Sequence, residues 1–247
     1  MKQDILPIYI GWDSREPVAF DVCAYSLWRR TSMALMVSPL KERALRAMKI
    51  LWREPDALAS TEFTYSRFLT PWLAWRAGFK DVWAIFCDCD FLFQADIAKL
   101  FDVLDNQFAV MVVKHDHRPP ETTKMEGAIQ HQYPRKNWSS FIAWNLGDPA
   151  NACVVPALVN EWPAGDLHQF KWLPDAKIGA LPEGWNWLEG HSHHGLQKHA
   201  IHYTRGGPWF KNWAGVSYAG LWETERRVME AQLRPSFNGG LPRMEAG

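Results

Sequence analysis

Apolar residues in this chain come in short consecutive runs, set apart by polar stretches that carry glycine and proline. Runs of this kind fit strands of a sheet buried on both faces. Ile5 to Gly11 is the first, ending at Gly-Trp-Asp, and Val82 to Cys87 is the strongest, running straight into Asp88-Cys89-Asp90. Ala34 to Val37, Ala109 to Val113 and Phe141 to Leu146 read as further strands, the last closed by the turn Gly147-Asp148-Pro149. Helices are predicted between them. Pro17 opens one that runs to about Trp28, proline being suited to a first helical turn. Phe63 to Ala77 forms another, with Pro71 at a kink or boundary and Gly78 as its stop. Ala152 to Trp162 is a third, and a helix rich in Glu and Arg spans about 217 to 234. Lys114 to Asn137 is polar and weakly periodic and reads as a long loop of the kind that carries function. Alternating strands and helices predict an α/β fold: a mixed, mainly parallel sheet with helices on both faces.

At 247 residues the chain suits one domain, 1–247. Basic and acidic residues balance at 27 each, which argues against a nucleic-acid partner and gives no global attraction to anionic membranes. The first residues lack a secretory apolar region, and no uncharged run reaches transmembrane length, so the expected location is cytoplasmic, compatible with peripheral attachment at an inner membrane face. Cys23, Cys87, Cys89 and Cys153 lack zinc-ribbon spacing and read as reduced thiols. Fifteen tryptophans is a heavy load. Any single one is expected in the core, but several suit a groove that stacks on sugar rings, with Trp138, Trp185 and Trp187 the candidates at an acceptor entrance.

Two carboxylates one residue apart, on a turn leaving a buried strand, can converge on one hard cation. Ligands of open α/β sheets bind outside the carboxyl ends of strands, where Asp88 and Asp90 stand. A D-x-D turn by itself is commonplace and equally describes two solvated acids. Ile10-Gly11-Trp12-Asp13-Ser14-Arg15 leaves the first strand: Asp13 suits hydrogen bonds to a ribose or base and Arg15 suits phosphate, while an ordinary capped turn explains the same residues. Dinucleotide and P-loop glycine patterns are absent. His191-Ser192-His193-His194 has zinc-ligand residue types without a helical H-E-x-x-H pattern and reads as a polar loop.

The segments around the acidic pair add to this. Tyr65-Ser66-Arg67 precedes the strand that ends in Asp88-Cys89-Asp90, and Asp96-Ile97-Ala98-Lys99-Leu100-Phe101 follows it. Leu181-Pro182-Glu183-Gly184-Trp185-Asn186 and His202-Tyr203-Thr204-Arg205-Gly206-Gly207-Pro208-Trp209 come later. Together they resemble glycosyltransferase family 8, the group of glycogenin and the lipopolysaccharide galactosyltransferases. The resemblance implies a GT-A, Rossmann-like fold and a hexosyltransferase that retains anomeric configuration. It implies a nucleotide-sugar donor, UDP-linked in the family, and a glycan or lipid-linked acceptor. Mn²⁺, or Mg²⁺, would be held by Asp88, Asp90 and His202, with Arg67 reaching the donor site. Gly11, Trp12, Asp13, Arg15, Tyr65, Gly206, Gly207 and Trp209 would line the nucleotide and diphosphate. The chain departs from the family pattern at Gly207, where a lysine is usual, and at Trp138-Ser139-Ser140. It also departs at Asp166-Leu167-His168-Gln169, leaving His168 and Gln169 at the reacting-carbon positions. Two other readings remain: a nucleotidyltransferase acting on sugar phosphates, which lacks its basic glycine-rich loop here, and a carbohydrate-binding module, which leaves the acidic pair unexplained.

Overall fold

The computed structural model describes residues 3–56, 59–116, 123–124, 128–129 and 135–233. In chain order the elements are β1 (Ile5–Trp12), α1 (Pro17–Arg30), β2 (Ala34–Lys41), α2 (Glu42–Ala47), α3 (Thr70–Arg76), β3 (Trp83–Cys87), β4 (Phe91–Phe93) and β5 (Val110–Val112). A two-residue pair, β6 (Thr123–Lys124) and β7 (Ala128–Ile129), precedes β8 (Phe141–Asn145), α4 (Pro156–Glu161), α5 (Ala164–His168), β9 (Ile178–Ala180), β10 (Trp187–Leu188), β11 (Ala200–His202) and α6 (Ala219–Leu233).

The main sheet has six strands in the order β2-β1-β3-β8-β5-β9. β1 pairs in parallel with β2 and β3, and β5 with β9, while β8 runs antiparallel between β3 and β5. The expected α/β class and mixed, mainly parallel sheet are therefore borne out. β3 and β8 are buried along their whole length, which is why their sequences read as unbroken apolar runs. A second sheet, β10-β11-β4, has strands of two or three residues. Its β4 continues directly from the Asp88-Cys89-Asp90 turn.

The core divides into a large cluster around the main sheet and a smaller one of Val22, Leu92, Trp187, Ile201, Tyr203, Trp222 and Met229. The smaller cluster fastens α6 and the second sheet to α1. Glu225 of α6, buried, reaches Arg30 at 2.7 Å and Arg29 at 3.4 Å on α1.

Several boundaries differ from the sequence reading. The helix expected over Phe63 to Ala77 is a 3-10 turn, Ser66–Leu69, followed by α3, whose first turn holds Pro71. The helix expected over Ala152 to Trp162 begins only at Pro156, because proline fixes a helix start and biases Val155 to an extended conformation. β2 runs on to Lys41. Most of the loop expected between Lys114 and Asn137, and the last residue of the C-terminal helix expected to 234, lie outside the described residues. All four cysteines are free thiols, and among the described residues no helix is long and apolar enough to cross a membrane. Trp185 and Trp187 are 2% and 0% exposed, which removes them as stacking platforms for an acceptor. Trp185 lies flat on His199, and Trp187 meets Tyr218 edge-on.

Candidate active site

The end of β3 is fixed by its neighbour. Cys87 stands opposite Phe141 of β8, so the next residue, Asp88, donates its backbone N–H to Ser140 O at 2.9 Å. Three residues on, β4 begins and pairs antiparallel with β11, with Phe91 opposite His202. Tyr203 N–H closes the same ladder on Asp90 O at 2.9 Å. That register brings His202 Nε2 to 3.3 Å from Asp90 Oδ1, with the imidazole stacked on Phe91 at a centroid distance of 4.4 Å. Asp88, Asp90 and His202 each offer one ligand atom, and the three atoms lie within 4.8 Å of one another. Among the described residues no other group of three such side chains converges in this way, the 191–194 histidines included. Two carboxylate oxygens and one imidazole nitrogen form a donor set that fits a divalent cation.

Arg67 comes from the 3-10 turn before α3 and is 5% exposed. Its Nη1 donates to Asp88 Oδ1 at 2.8 Å and to Ser139 O at 2.9 Å, and its guanidinium lies against the rings of Phe63 and Phe86. On the other side of Ser139, its Oγ is 2.6 Å from His168 Nδ1 at the end of α5. His168 meets Phe68 edge-on. Gln169 follows α5 and uses its backbone carbonyl to accept from Arg135.

The residues expected around the nucleotide lie in two groups. Gly11, next to last in β1, lies against Phe63, whose ring a Cβ would approach to 2.5 Å, so the chain's own packing already requires glycine there. Trp12 has Lys41 over its ring. Asp13 is fully buried: Arg15 N, Arg15 Nε, Arg15 Nη2 and Glu62 N all donate to its carboxylate. Burial pushes the Asp13 carboxyl up, but those hydrogen bonds and the Arg15 charge outweigh it and hold it below its ordinary value. Tyr65 donates to Asp56 at 2.6 Å, beneath the guanidinium of Arg53. In the later group, Gly206 has φ 134°, which favours glycine, and a Cβ at Gly207 would fall 2.0 Å from the Trp209 ring. Trp209 packs on Tyr203 and Trp222 and donates to Glu16 Oε2 at 3.0 Å.

Glu16 and Asn186 were not anticipated from the sequence. Glu16 precedes α1, is 2% exposed, and accepts from both Trp209 and the Cys89 thiol. Burial, then the nearby charges of Asp90 and Asp13, push its carboxyl up to about 8. Asn186 Oδ1 lies 2.8 Å from His202 Nδ1. It sits in a motif already noted, Leu181 to Asn186, but nothing in its spacing from His202 signals the contact.

Solved structures of glycosyltransferases share this fold. The chain superposes on the apo form of the bifunctional glycosyltransferase WbbM with a TM-score of 0.60 at 14% identity, over 94% of this chain and 52% of that one. It matches GlyE of Streptococcus pneumoniae with a TM-score of 0.57 at 12% identity, over 92% of this chain and 62% of GlyE. It matches the galactosyltransferase LgtC, solved with donor and acceptor sugar analogues, with a TM-score of 0.53 at 11% identity, over 90% of this chain and 95% of that one. The chain therefore spans about half the length of WbbM and under two thirds of GlyE. The fold is that of the GT-A glycosyltransferases. No protein-family model matches the chain. It is 47% identical over 223 residues to Protein CDI of Arabidopsis thaliana, covering 88% of this chain and 85% of the plant protein, and it belongs to the same family as that protein.

Proposed function

We propose that the protein is a metal-dependent glycosyltransferase of the family 8 type, working as one domain that moves a hexose from a nucleoside diphosphate sugar, UDP-linked, to a hydroxyl of a glycan or lipid-linked acceptor with retention. The observation that carries this reading is the convergence of Asp88, Asp90 and His202 at the end of a central strand of a GT-A fold. Asp88, Asp90 and His202 would hold the metal, Mn²⁺ in preference to Mg²⁺ because one ligand is an imidazole. When bound, such an ion neutralises charge on a departing diphosphate.

The chain's own residues do the rest. Arg67 holds Asp88 in its orientation through a 2.8 Å hydrogen bond. Gly11, Trp12, Asp13, Arg15 and Tyr65 would form the nucleotide side, with Asp13 keeping the β1–α1 turn in shape. Gly206 and Gly207 would let backbone approach the diphosphate, beside Trp209. His168 and Gln169 would face the reacting sugar, with His168 oriented by Ser139. A cavity of about 330 Å³ lined by Lys114, His115, Asp116, Glu183 and Leu188 supports room for a polar acceptor, since Leu188 stands opposite His202 in the β10–β11 ladder.

The test is donor hydrolysis and transfer with a panel of nucleotide sugars, with Mn²⁺ and in excess EDTA. Metal-dependent turnover of a UDP-sugar is the expected result. Turnover that persists undiminished in EDTA overturns the metal assignment, and no turnover of any nucleotide sugar overturns the transferase reading.

A further inference from the structure

An amide and an imidazole each look nearly symmetrical in outline, yet the network around Asn186 and His202 fixes which ring nitrogen keeps the proton in the neutral imidazole. Asn186 Nδ2 lies 3.2 Å from Asn137 O and 2.9 Å from Ser140 Oγ. A backbone carbonyl only accepts, so the NH₂ end of the amide must face it. Ser140 Oγ gives its own hydrogen to Asn137 O at 2.7 Å, which leaves the hydroxyl as an acceptor for Asn186. The amide oxygen then faces His202 Nδ1 at 2.8 Å. An amide oxygen cannot donate, so Nδ1 carries the proton, and in the neutral ring Nε2 carries the lone pair. Nε2 is the nitrogen that faces Asp90 Oδ1.

We propose that Asn186 is a positioning residue that locks His202 in its Nδ1–H tautomer, presenting the Nε2 lone pair to the cation before any cation arrives. The inference rests on reading Asp88, Asp90 and His202 as the metal ligands. The lock is anchored in one short turn, Asn137 to Ser140, which begins with Asn137 in a left-handed conformation, φ 64° and ψ 0°, that asparagine tolerates well. The same turn governs the opposite flank of the site. Ser140 O accepts from the Asp88 backbone, and Ser139 O holds the guanidinium that holds the Asp88 carboxylate. Trp138-Ser139-Ser140 is where the sequence departs from the family pattern. Its two serines thereby gain a definite role, bracing a ligand on each side of the site.

The lock is read directly from ¹⁵N imidazole resonances of metal-free protein at alkaline pH, with His202 assigned by comparison with His202→Ala. The expected signature is a protonated Nδ1 and an unprotonated Nε2; a ring protonated on Nε2 overturns the proposal. Metal binding gives the second arm, measured with Mn²⁺ and UDP by calorimetry. Asn186→Leu removes the acceptor and frees the ring to point an Nε2–H at Asp90, so affinity for Mn²⁺ falls by about 10–100-fold. Asn186→Asp, which still accepts from Nδ1–H but sets its second oxygen against Asn137 O, recovers part of that loss. A folded Asn186→Leu protein that binds Mn²⁺ as the parent does overturns the proposal. Should that variant fail to fold, the resonances of the unaltered protein decide alone. Failure of the parent protein to bind Mn²⁺ at all would count against the metal site itself, a result separate from the tautomer.

Discussion

Two adjacent strands of the main sheet, β1 and β3, are each followed within three residues by an aspartate, Asp13 and Asp90, and the two are used in opposite ways. Asp13, after β1, is ringed by donors from its own chain, three from Arg15 and one from Glu62. Asp90, after β3, faces the imidazole of His202 and lies within reach of Asp88, so that three candidate ligand atoms lie together. A carboxylate saturated by donors shapes a turn. Carboxylates drawn together with an imidazole concentrate negative potential, and a cation relieves it. The arginines follow the same division. Arg15 is 43% exposed at the surface of its turn, whereas the Arg67 side chain is 6% exposed beneath Asp88.

The contrast breaks first at Asp90. Asp90→Asn keeps the shape and removes the charge, so turnover and Mn²⁺ affinity should fall by more than the about 10–100-fold that loss of an outer partner costs, while thermal melting holds or rises. Near-parental turnover in the folded variant would return Asp90 to the same class as Asp13. Arg67→Met comes next. It takes the guanidinium from the half-buried Asp88 carboxylate and should lower Mn²⁺ affinity, whereas Arg15→Ala strips two side-chain donors from the fully buried Asp13 and should cost about 1–3 kcal/mol in urea titration with Mn²⁺ affinity near parental. Equal losses of Mn²⁺ affinity would erase the distinction between the two turns.

Asp13→Asn should cost about 1–3 kcal/mol at neutral pH, since it sets an amide among donors arranged for a carboxylate. The pH dependence sharpens that expectation. The folded Asp13 carboxyl lies below its ordinary value, so its contribution is complete above about pH 4 and is lost as pH falls through the folded value. The gap between variant and parent therefore closes in acid, and a gap that widens there would contradict the assignment. The smallest effect is expected at Glu16, where burial and the charges of Asp90 and Asp13 push the carboxyl up to about 8. The folded state then holds a proton that the unfolded state has released, so parental stability declines as pH rises from above the ordinary carboxylate range toward 8. Glu16→Gln should remove that slope, gaining on the parent by no more than about 1.4 kcal/mol between about pH 6 and pH 7. Parallel stability curves for the two proteins would refute it.

How far the sequence could be read depended on element length. β1, β3 and β8 are strands of five to eight residues with continuous apolar character, and their runs announced them. Asp88 and Asp90 were legible because they follow the strongest of those runs. β4, β10 and β11 have only two or three residues, too few for a period to show, and they are the strands that deliver His202 to Asp90. The His202 assignment came instead from its likeness to a family motif. Asn186 is fully buried among polar groups from two separate segments, and such a convergence has no trace in local pattern. Trp185 and Trp187 misled because an indole that will stack on a sugar and one that will fill a core are the same residue until packing is known.

The second sheet has a consequence for how this chain tolerates changes in length. Asp90 immediately precedes β4, and His202 ends β11, its antiparallel partner. Their proximity is therefore counted in ladder steps. Side chains alternate between faces along a strand, so one residue inserted between Asp90 and Phe91, or between Ala200 and His202, turns a ligand to the far side of the sheet. The 190–198 segment, between β10 and β11, carries no such count. It can lengthen or shorten while both ladder partners keep their places. Insertions and deletions among relatives of this chain should accordingly gather in that segment and spare the few residues on either side of Asp90 and His202.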